Sequence, residues 1–512
     1  MILGAADVTA ELAAALPGHT VVRLVPGRDT ADTGDGTMHV NVASRESLAA
    51  CHRRLTGPNG RRVGAVVNLM GLTPPNAATD AAPLPAALGW LHAIQEFADD
   101  LKASVHDGGG WIVNVTALDG RLGAAGPKDL GQAATLGITK VAAREIPGAR
   151  VRCVDVAPDI TGHRRAALVA AELTAADELT EVGHDRGGRW TLEAAPTDAP
   201  ADSGPLPVDG DSVVLVTGGA TGVTAAAALE LARRAGPRLV VVGRSPLPGP
   251  EPESTRGLDR AGLRAHVLES ARREGRAMKP AEVEARVKRI LKDREMVEMI
   301  AALRATAAAV EYHAVDARDG DAFAAVVRRV YADHGRLDGV IHGAGVVEDR
   351  LLRDKTDDSF ARVFSTKVDP ALTLVRELRL ESLRFLVFFS SVSARLGARG
   401  QVDYAAANEA LNKLAAHVAA RTPARVVAVN WGPWRGGMVS DELLRQYAAR
   451  NIQAIDVSAG ARRLVDELRI APPAAAEVVI VAGSFADLTR EAGATIAAPP
   501  APKPSAAVEV GA

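Results

Sequence analysis

The chain has 512 residues, 47% of them apolar and 24% charged, with a formal net charge of −2. That composition suits a folded protein of two to four ordinary domains and excludes a mainly disordered chain. The near-neutral charge argues against a nucleic-acid partner, because no basic face is concentrated enough to neutralise phosphates. Two cysteines, Cys51 and Cys153, cannot build a disulfide framework, so a reducing, cytoplasmic setting is expected. No apolar run reaches the roughly 18 residues of a spanning helix. The N-terminus lacks a basic n-region, so neither a membrane partner nor a signal peptide is expected. No metal site is expected.

Taken in chain order, residues 1–193 alternate short Val/Ile/Leu runs with longer helical patterns, as buried parallel strands with crossover helices do. Residues 194–210 (AAPTDAPADSGPLPVDG) read as a linker. The alternation resumes over 211–490, and 491–512 ends in an Ala/Pro-rich stretch that reads as a tether. The two blocks resemble each other. GAVVNLMGL (64–72) lies over GVIHGAGVV (339–347), and ARVRCVDVAP (149–158) over ARVVAVNWGP (424–433), both at an offset of 275. VTALDGRLG (115–123) lies over FSSVSARLG (389–397), and DLGQAATLG (129–137) over DYAAANEAL (403–411), both at 274. One period of this size predicts a duplicated domain. Ser391, Tyr404 and Asn408 face Ala117, Leu130 and Ala134, so the second copy is expected to be active and the first supporting. The first copy also starts too late to hold a glycine loop.

In the second block, VVLVTGGATGVTAAAALELARR (213–234) reads as a buried strand, a glycine turn and a helix. Thr217, Gly218 and Gly222 form T-G-x-x-x-G, where a bulkier residue would keep a pyrophosphate from the N–H groups at the helix start. The next strand, RLVVVGRS (238–245), ends in Arg244 with no acid nearby. An acid there would bond a ribose 2′-hydroxyl and an arginine accommodates a 2′-phosphate, so NADPH is favoured over NADH. Residues 246–308 start Pro-rich and become helical. Val283, Val287, Ile290, Leu291, Met296, Val297, Ile300 and Leu303 form a stripe expected to pack on the domain body; docking of a carrier or neighbouring domain is the alternative. Asp316 ends the strand-like VEYHAVD and is a candidate for the adenine amine, or a helix cap.

Tyr404 and Asn408 lie four apart in a helical stretch and share a face. Ser391 ends the strand RFLVFFSS, and Lys367 lies in the preceding helical segment. Hydride reduction of a ketone leaves an alkoxide-like oxygen that needs a proton. A phenol can deliver it if a nearby ammonium, here Lys367, lowers its pKa. Ser391 can donate to the same oxygen, and Asn408 can hold a water that reloads the proton. Ser390 and Ser393 flank Ser391, and the chemistry alone does not choose among them.

TGGATGV, GRS, VDARD, GRLDGVIHGAG, FSSVSARLG, YAAAN and NWGPW together resemble the ketoreductase domain of modular polyketide and polyunsaturated fatty-acid synthases, in the short-chain dehydrogenase/reductase superfamily. The resemblance implies an α/β fold of two Rossmann-like subdomains, an N-terminal truncated structural one and a C-terminal catalytic doubly wound parallel sheet. It implies a Ser thirteen before the Tyr and a Lys 37 before it, which selects Ser391, Lys367 and Tyr404, with Asn408 as the helix asparagine. The implied cofactor contacts are Thr217, Gly218, Gly219, Thr221, Gly222, Val223, Arg244, Ser245, Asp316, Ala317, Gly343, Ala344, Gly345, Lys367 and Tyr404. Pro433 and Trp434 would pass over the nicotinamide. The chain departs from the family at Thr224, where the loop's third glycine is usual, and at Gly343, where HAAG becomes HGAG. The long 246–308 segment is a third departure. Asp349 and the lack of Trp at Leu396 resemble the type giving a D-configured (3R) hydroxyl.

The resemblance thus implies NADPH-dependent reduction of a β-ketoacyl thioester carried on the phosphopantetheine arm of an acyl carrier protein, beside neighbouring synthase domains. A free-standing reductase or epimerase of small metabolites, and an inactive reductase fold kept for assembly, are the alternatives.

Overall fold

The computed structural model describes residues 1–28, 30–57, 62–72, 83–127, 130–195, 204–436, 441–450 and 452–491. The Ala/Pro-rich tail from 497 and the middle of the linker lie outside the described residues. Two sheets form the framework. The first contains β1 (Ile2–Leu3), β2 (Arg23–Pro26), β3 (Ala31–Asp32), β4 (Thr37–Val40), β5 (Ala65–Asn68), β6 (Trp111–Thr116), β7 (Arg150–Val156), β8 (Glu181–Asp185) and β9 (Gly188–Trp190). The second contains β10 (Val213–Thr217), β11 (Arg238–Gly243), β12 (Ala309–Ala314), β13 (Gly339–His342), β14 (Phe385–Ser391), β15 (Arg425–Trp431) and β16 (Glu477–Ile480).

The orders are β3-β4-β2-β1-β5-β6-β7-β8-β9 and β12-β11-β10-β13-β14-β15-β16. Only β3 and β9 run antiparallel. Without these two edge strands, both sheets have the same doubly wound order, with crossover helices on both faces. The repeat in the sequence is therefore a repeat of topology. It goes further than the sequence indicates: β1 is the counterpart of β10, and a turn holding Gly4 leads from it into the helix Ala6–Ala14. The first copy does have the strand–turn–helix, shortened to a two-residue strand and one glycine.

The central strands are Val-, Ile- and Phe-rich because both faces are covered. Val214, Leu215 and Val216 of β10 and Phe385 to Phe388 of β14 are buried. The halves join through the helices Ala133–Glu145 and Val402–Ala419, which pack against each other and are buried over most of their length. Small residues allow this approach: a Cβ on Gly137 would lie 2.5 Å from the Ala405 carbonyl oxygen. Trp90, Ile94 and Phe97 of the first half share one core with Phe360, Phe364, Val402 and Ala405 of the second.

The 246–308 segment contains the helices Arg260–Arg273 and Pro280–Thr306. Met296, Ile300 and Leu303 join the core beside β10 and β11, as expected. Val283 and Val287 instead pack on Leu263 and Val267 of the shorter helix. Val297 is 47% exposed, contrary to the predicted stripe. Arg294 ties the Pro-rich entry down, donating to Glu251 (2.7 Å), Leu258 O (2.6 Å) and Thr255 O (2.5 Å). Among the described residues no helix is long and apolar enough to cross a membrane.

Candidate active site

The C-terminal ends of β10, β13 and β14 meet where the strand order reverses, the usual position of a ligand crevice in such sheets. β14 delivers Ser391, the helix Asp357–Glu377 delivers Lys367, and the helix Val402–Ala419 delivers Tyr404 and Asn408. Lys367 Nζ donates to the Phe389 carbonyl (2.6 Å) and lies 5.4 Å from the centre of the Tyr404 ring. Asn408 Nδ2 donates to the Tyr404 carbonyl (2.8 Å). Its Oδ1 is buried with no protein partner among the described residues, so an acceptor stands ready for a polar ligand or water.

Of the three neighbouring serines, Ser390 lies against Asn408 O (3.2 Å) and Asn430 Oδ1 (3.1 Å) inside the sheet. Ser393 is also buried. Ser391 is only half-buried, and its Oγ accepts from Ser393 N (3.2 Å), which leaves its own O–H to donate. Burial pushes Tyr404 up to about 12 and Lys367 down to about 7. The expected lowering of the phenol by the ammonium is absent here: burial dominates both groups, Asp349 and Tyr447 raise the phenol further, and only Asn408 works to lower it.

His342, at the end of β13, donates from Nε2 to the Lys367 carbonyl (2.8 Å). Its Nδ1 therefore accepts from Thr217 Oγ1 (2.7 Å). Burial lowers His342 to about 4, so the ring is neutral at pH 7 and ties the glycine loop to the lysine helix. The sequence contained this histidine within HGAG but gave it no role.

In the glycine loop, Gly218 and Gly222 have φ of 72° and 68°, which side chains resist. A Cβ on Gly218 would press at 3.0 Å on Ala344 N, and one on Gly219 would lie 2.4 Å from Val216 Cγ1. Thr221 is the N-cap of the helix Gly222–Ala235 and leaves it without a side-chain cap; Val223 follows in its first turn. Gly222 N–H instead donates to Glu295 Oε1 (2.7 Å) of the inserted helix. A carboxylate thus occupies the place where an anion favours a helix N-terminus, so a dinucleotide phosphate binding at Gly222 N–H would have to displace Glu295.

Arg244 is exposed past the end of β11, and Ser245 O accepts from Tyr312 Oη (2.5 Å). Asp316 is gripped by the Arg318 guanidinium (2.6 Å) beside Ala317. Its carboxylate is therefore already engaged, not presented alone for an adenine amine. Gly345 gives passage to Lys367, whose Cε would meet a Cβ there at 2.9 Å. Pro433 O accepts from Ile455 N (2.7 Å). Trp434 turns its indole inward: the residue is 6% exposed, its ring centre lies 4.7 Å from that of Trp431, and it packs in the core with Ile455. Burial of a large indole decides its position.

Two departures from the family pattern explain each other. A Cβ on Gly343 would lie 2.1 Å from Thr224 Oγ1 and 2.5 Å from its Cγ2. Thr224 therefore fills the volume that the usual Ala of HAAG would take. Gly343→Ala alone is expected to cost about 1–3 kcal/mol by overpacking. Thr224→Gly/Gly343→Ala should regain most of that loss, with a coupling of about 1–3 kcal/mol in a denaturant cycle. Additive costs would show that the positions are independent.

The sequence also missed a buried ion pair beside Tyr404. Lys355 donates to Asp403 Oδ2 (2.7 Å), and Asp403 Oδ1 accepts from Tyr404 N (2.8 Å). The only signal was an acid at a helix start, which also fits an ordinary cap.

Residues 212–436 match the model of the KR domain family. Over 393 residues the chain is 32% identical to one component of the polyunsaturated fatty acid synthase of Thraustochytrium sp., covering 73% of this chain and 14% of that protein. It is 32% identical over 341 residues to polyketide synthase ThaG of Burkholderia thailandensis, covering 66% and 5% respectively. The chain thus spans a small part of these long relatives. Among solved structures, an N-terminal ketoreductase from the macrolactin assembly line superposes with a TM-score of 0.72 at 19% identity, over 96% of this chain and 88% of that one. The first ketoreductase of the tylosin PKS gives 0.67 at 24% identity, over 96% and 92%; at these identities the likeness is one of fold. The duplicated topology, the glycine loop and the family match agree: residues 212–436 belong to the ketoreductase (KR) domain family, and the chain is similar to parts of polyunsaturated fatty acid and polyketide synthases.

Proposed function

We propose that this chain reduces a β-ketoacyl thioester on an acyl carrier protein to the β-hydroxyacyl thioester, using NADPH, as a cytoplasmic unit working beside neighbouring synthase domains. The observation that carries the reading is the grouping of Tyr404, Lys367 and Ser391 at the strand ends beside a glycine loop. NADPH, when bound, supplies the hydride to the β-carbon from nicotinamide C4. Thr217 to Val223 would hold its pyrophosphate, and Gly343 to Gly345 would line the same crevice. Arg244 and Ser245 would meet the 2′-phosphate, with Asp316 and Ala317 near the adenine.

Ser391 donates its hydroxyl proton in a hydrogen bond to the β-carbonyl oxygen, and that bond strengthens as negative charge grows there. Tyr404 then transfers its phenolic proton to that oxygen, giving the β-hydroxyl. An alkoxide is a stronger base than a phenolate, so a phenol held at about 12 still gives up its proton. Lys367, at about 7, is poised to return a proton near neutral pH, and the unpaired Asn408 Oδ1 offers a seat for a relaying water. Asp349 and Leu396 favour the D (3R) product.

The same β-ketoacyl group offered on a carrier protein and as a short free thioester tests the substrate. The carrier-borne form is expected to raise kcat/KM by about tenfold or more, the worth of roughly 1.4 kcal/mol of added binding. Equal values would favour the free-metabolite reductase.

A further inference from the structure

The first half reaches toward the site through several side chains, of which Glu145 joins two of its segments at once. Glu145, the last residue of the helix Ala133–Glu145, is half-buried and extends its carboxylate across the interface between the halves. Oε1 accepts from Gly400 N (2.8 Å), and Oε2 accepts from Leu352 N (2.6 Å). Gly400 has φ of 84° and lies just before the Tyr404 helix. Leu352 follows Asp349 by three residues.

The two segments that Glu145 joins also touch each other. Arg350 N donates to Gly400 O (2.8 Å), and Gln401 Nε2 donates to Asp349 Oδ1 (3.2 Å). Gln95, also from the first half, donates to Leu352 O (2.6 Å) and Lys355 O (2.9 Å). Lys355 in turn holds Asp403, next to Tyr404. A single carboxylate accepting from both segments fixes their separation, as two neutral acceptors on independent side chains would not.

We propose that Glu145 is a positioning residue for the reduction. Supplied by the half without a cofactor loop, it sets the distance between the Asp349 segment and the start of the Tyr404 helix. It thereby sets which face of the carbonyl meets the nicotinamide. The inference rests on the reading that Tyr404 delivers the proton.

The test measures kcat, KM, thermal midpoint and product enantiomer ratio for Glu145→Gln and Glu145→Ala with a carrier-borne β-ketoacyl thioester. Glutamine keeps one acceptor oxygen but turns an NH2 toward the second N–H, so it breaks one bond at nearly constant shape. Alanine breaks both. Both variants are expected to bind NADPH within about twofold of wild type. They should lose at least about tenfold in kcat and give an enantiomer ratio lowered by about tenfold, with alanine the worse. Gln95→Met, which removes the second tie to the Leu352 segment, should shift the ratio in the same direction and provides the test if the Glu145 variants do not fold. An unchanged ratio, or a rate loss that follows the thermal midpoint alone, would overturn the proposal. Full activity of Tyr404→Phe would instead remove the underlying reading, so the two failures are distinguishable.

Discussion

Glu409→Ala is expected to destabilise the protein by about 3–5 kcal/mol, the cost of leaving buried charges without their partner. The Glu409 side chain is 0% exposed and lies 3.3 Å from Lys140, 3.1 Å from Lys413 and 3.6 Å from Arg395. Those cations also meet Glu181 (2.9 Å from Lys140) and Glu477 (3.3 Å from Lys413). Lys140 and Glu181 belong to the first half and the rest to the second, so the network bolts the halves together inside their interface. Burial works to raise Glu409, but Lys140, Lys413 and Arg395 outweigh it and hold the carboxyl well below the usual glutamate range. A lowered folded pKa gives stability that is complete above the ordinary glutamate value of about 4.5 and is lost as pH falls below it toward the lowered folded value. Denaturant unfolding from pH 7 to pH 3 should show this fall in wild type and a smaller one in the variant. Equal stability of the two proteins at pH 7 would show that the network contributes no net energy.

Tyr404→Phe is expected to lower turnover by ~10²-fold or more, the usual worth of a positioned proton donor. The ring would stay in its half-buried slot beside Lys367 Nζ, 5.4 Å away, so nucleotide affinity and the thermal midpoint should change little. The substitution removes only the proton that the new alkoxide needs. Ser391 can still donate a hydrogen bond, but a hydroxyl fixed as the cap of the helix Val392–Leu396 has no comparable route to reload. Near-wild-type turnover would assign the proton to another group.

Much of the framework was legible because buried parallel strands leave unbroken apolar runs. The sequence offsets of 274–275 recur in the strands: β5 and β13 start at 65 and 339, β6 and β14 at 111 and 385, β7 and β15 at 150 and 425. β1 escaped notice because two apolar residues carry no periodicity. The grouping of Tyr404 with Asn408 follows from helical spacing alone, and Lys367 and Ser391 came with the family resemblance. The inward direction of the Trp434 indole was not legible, because a motif next to a site does not say which way a side chain points. Thr224 and Gly343 each looked like an isolated departure until their atoms competed for one volume. Contacts between distant segments were beyond reach: Glu145 lies 207 residues from Leu352, Gln95 lies 257 from Leu352, and Glu295 lies 73 from Gly222. Nothing periodic connects such pairs.

Following the transferred hydrogen tests whether this protein reduces a β-ketone with NADPH. With NADPH deuterated at both C4 positions and a carrier-borne β-ketoacyl thioester, the β-carbon of the hydroxyacyl product is expected to carry one deuterium, with the nucleotide oxidised in equal amount. Nucleotide that binds but is never oxidised, or a product whose β-carbon carries no label, would contradict it.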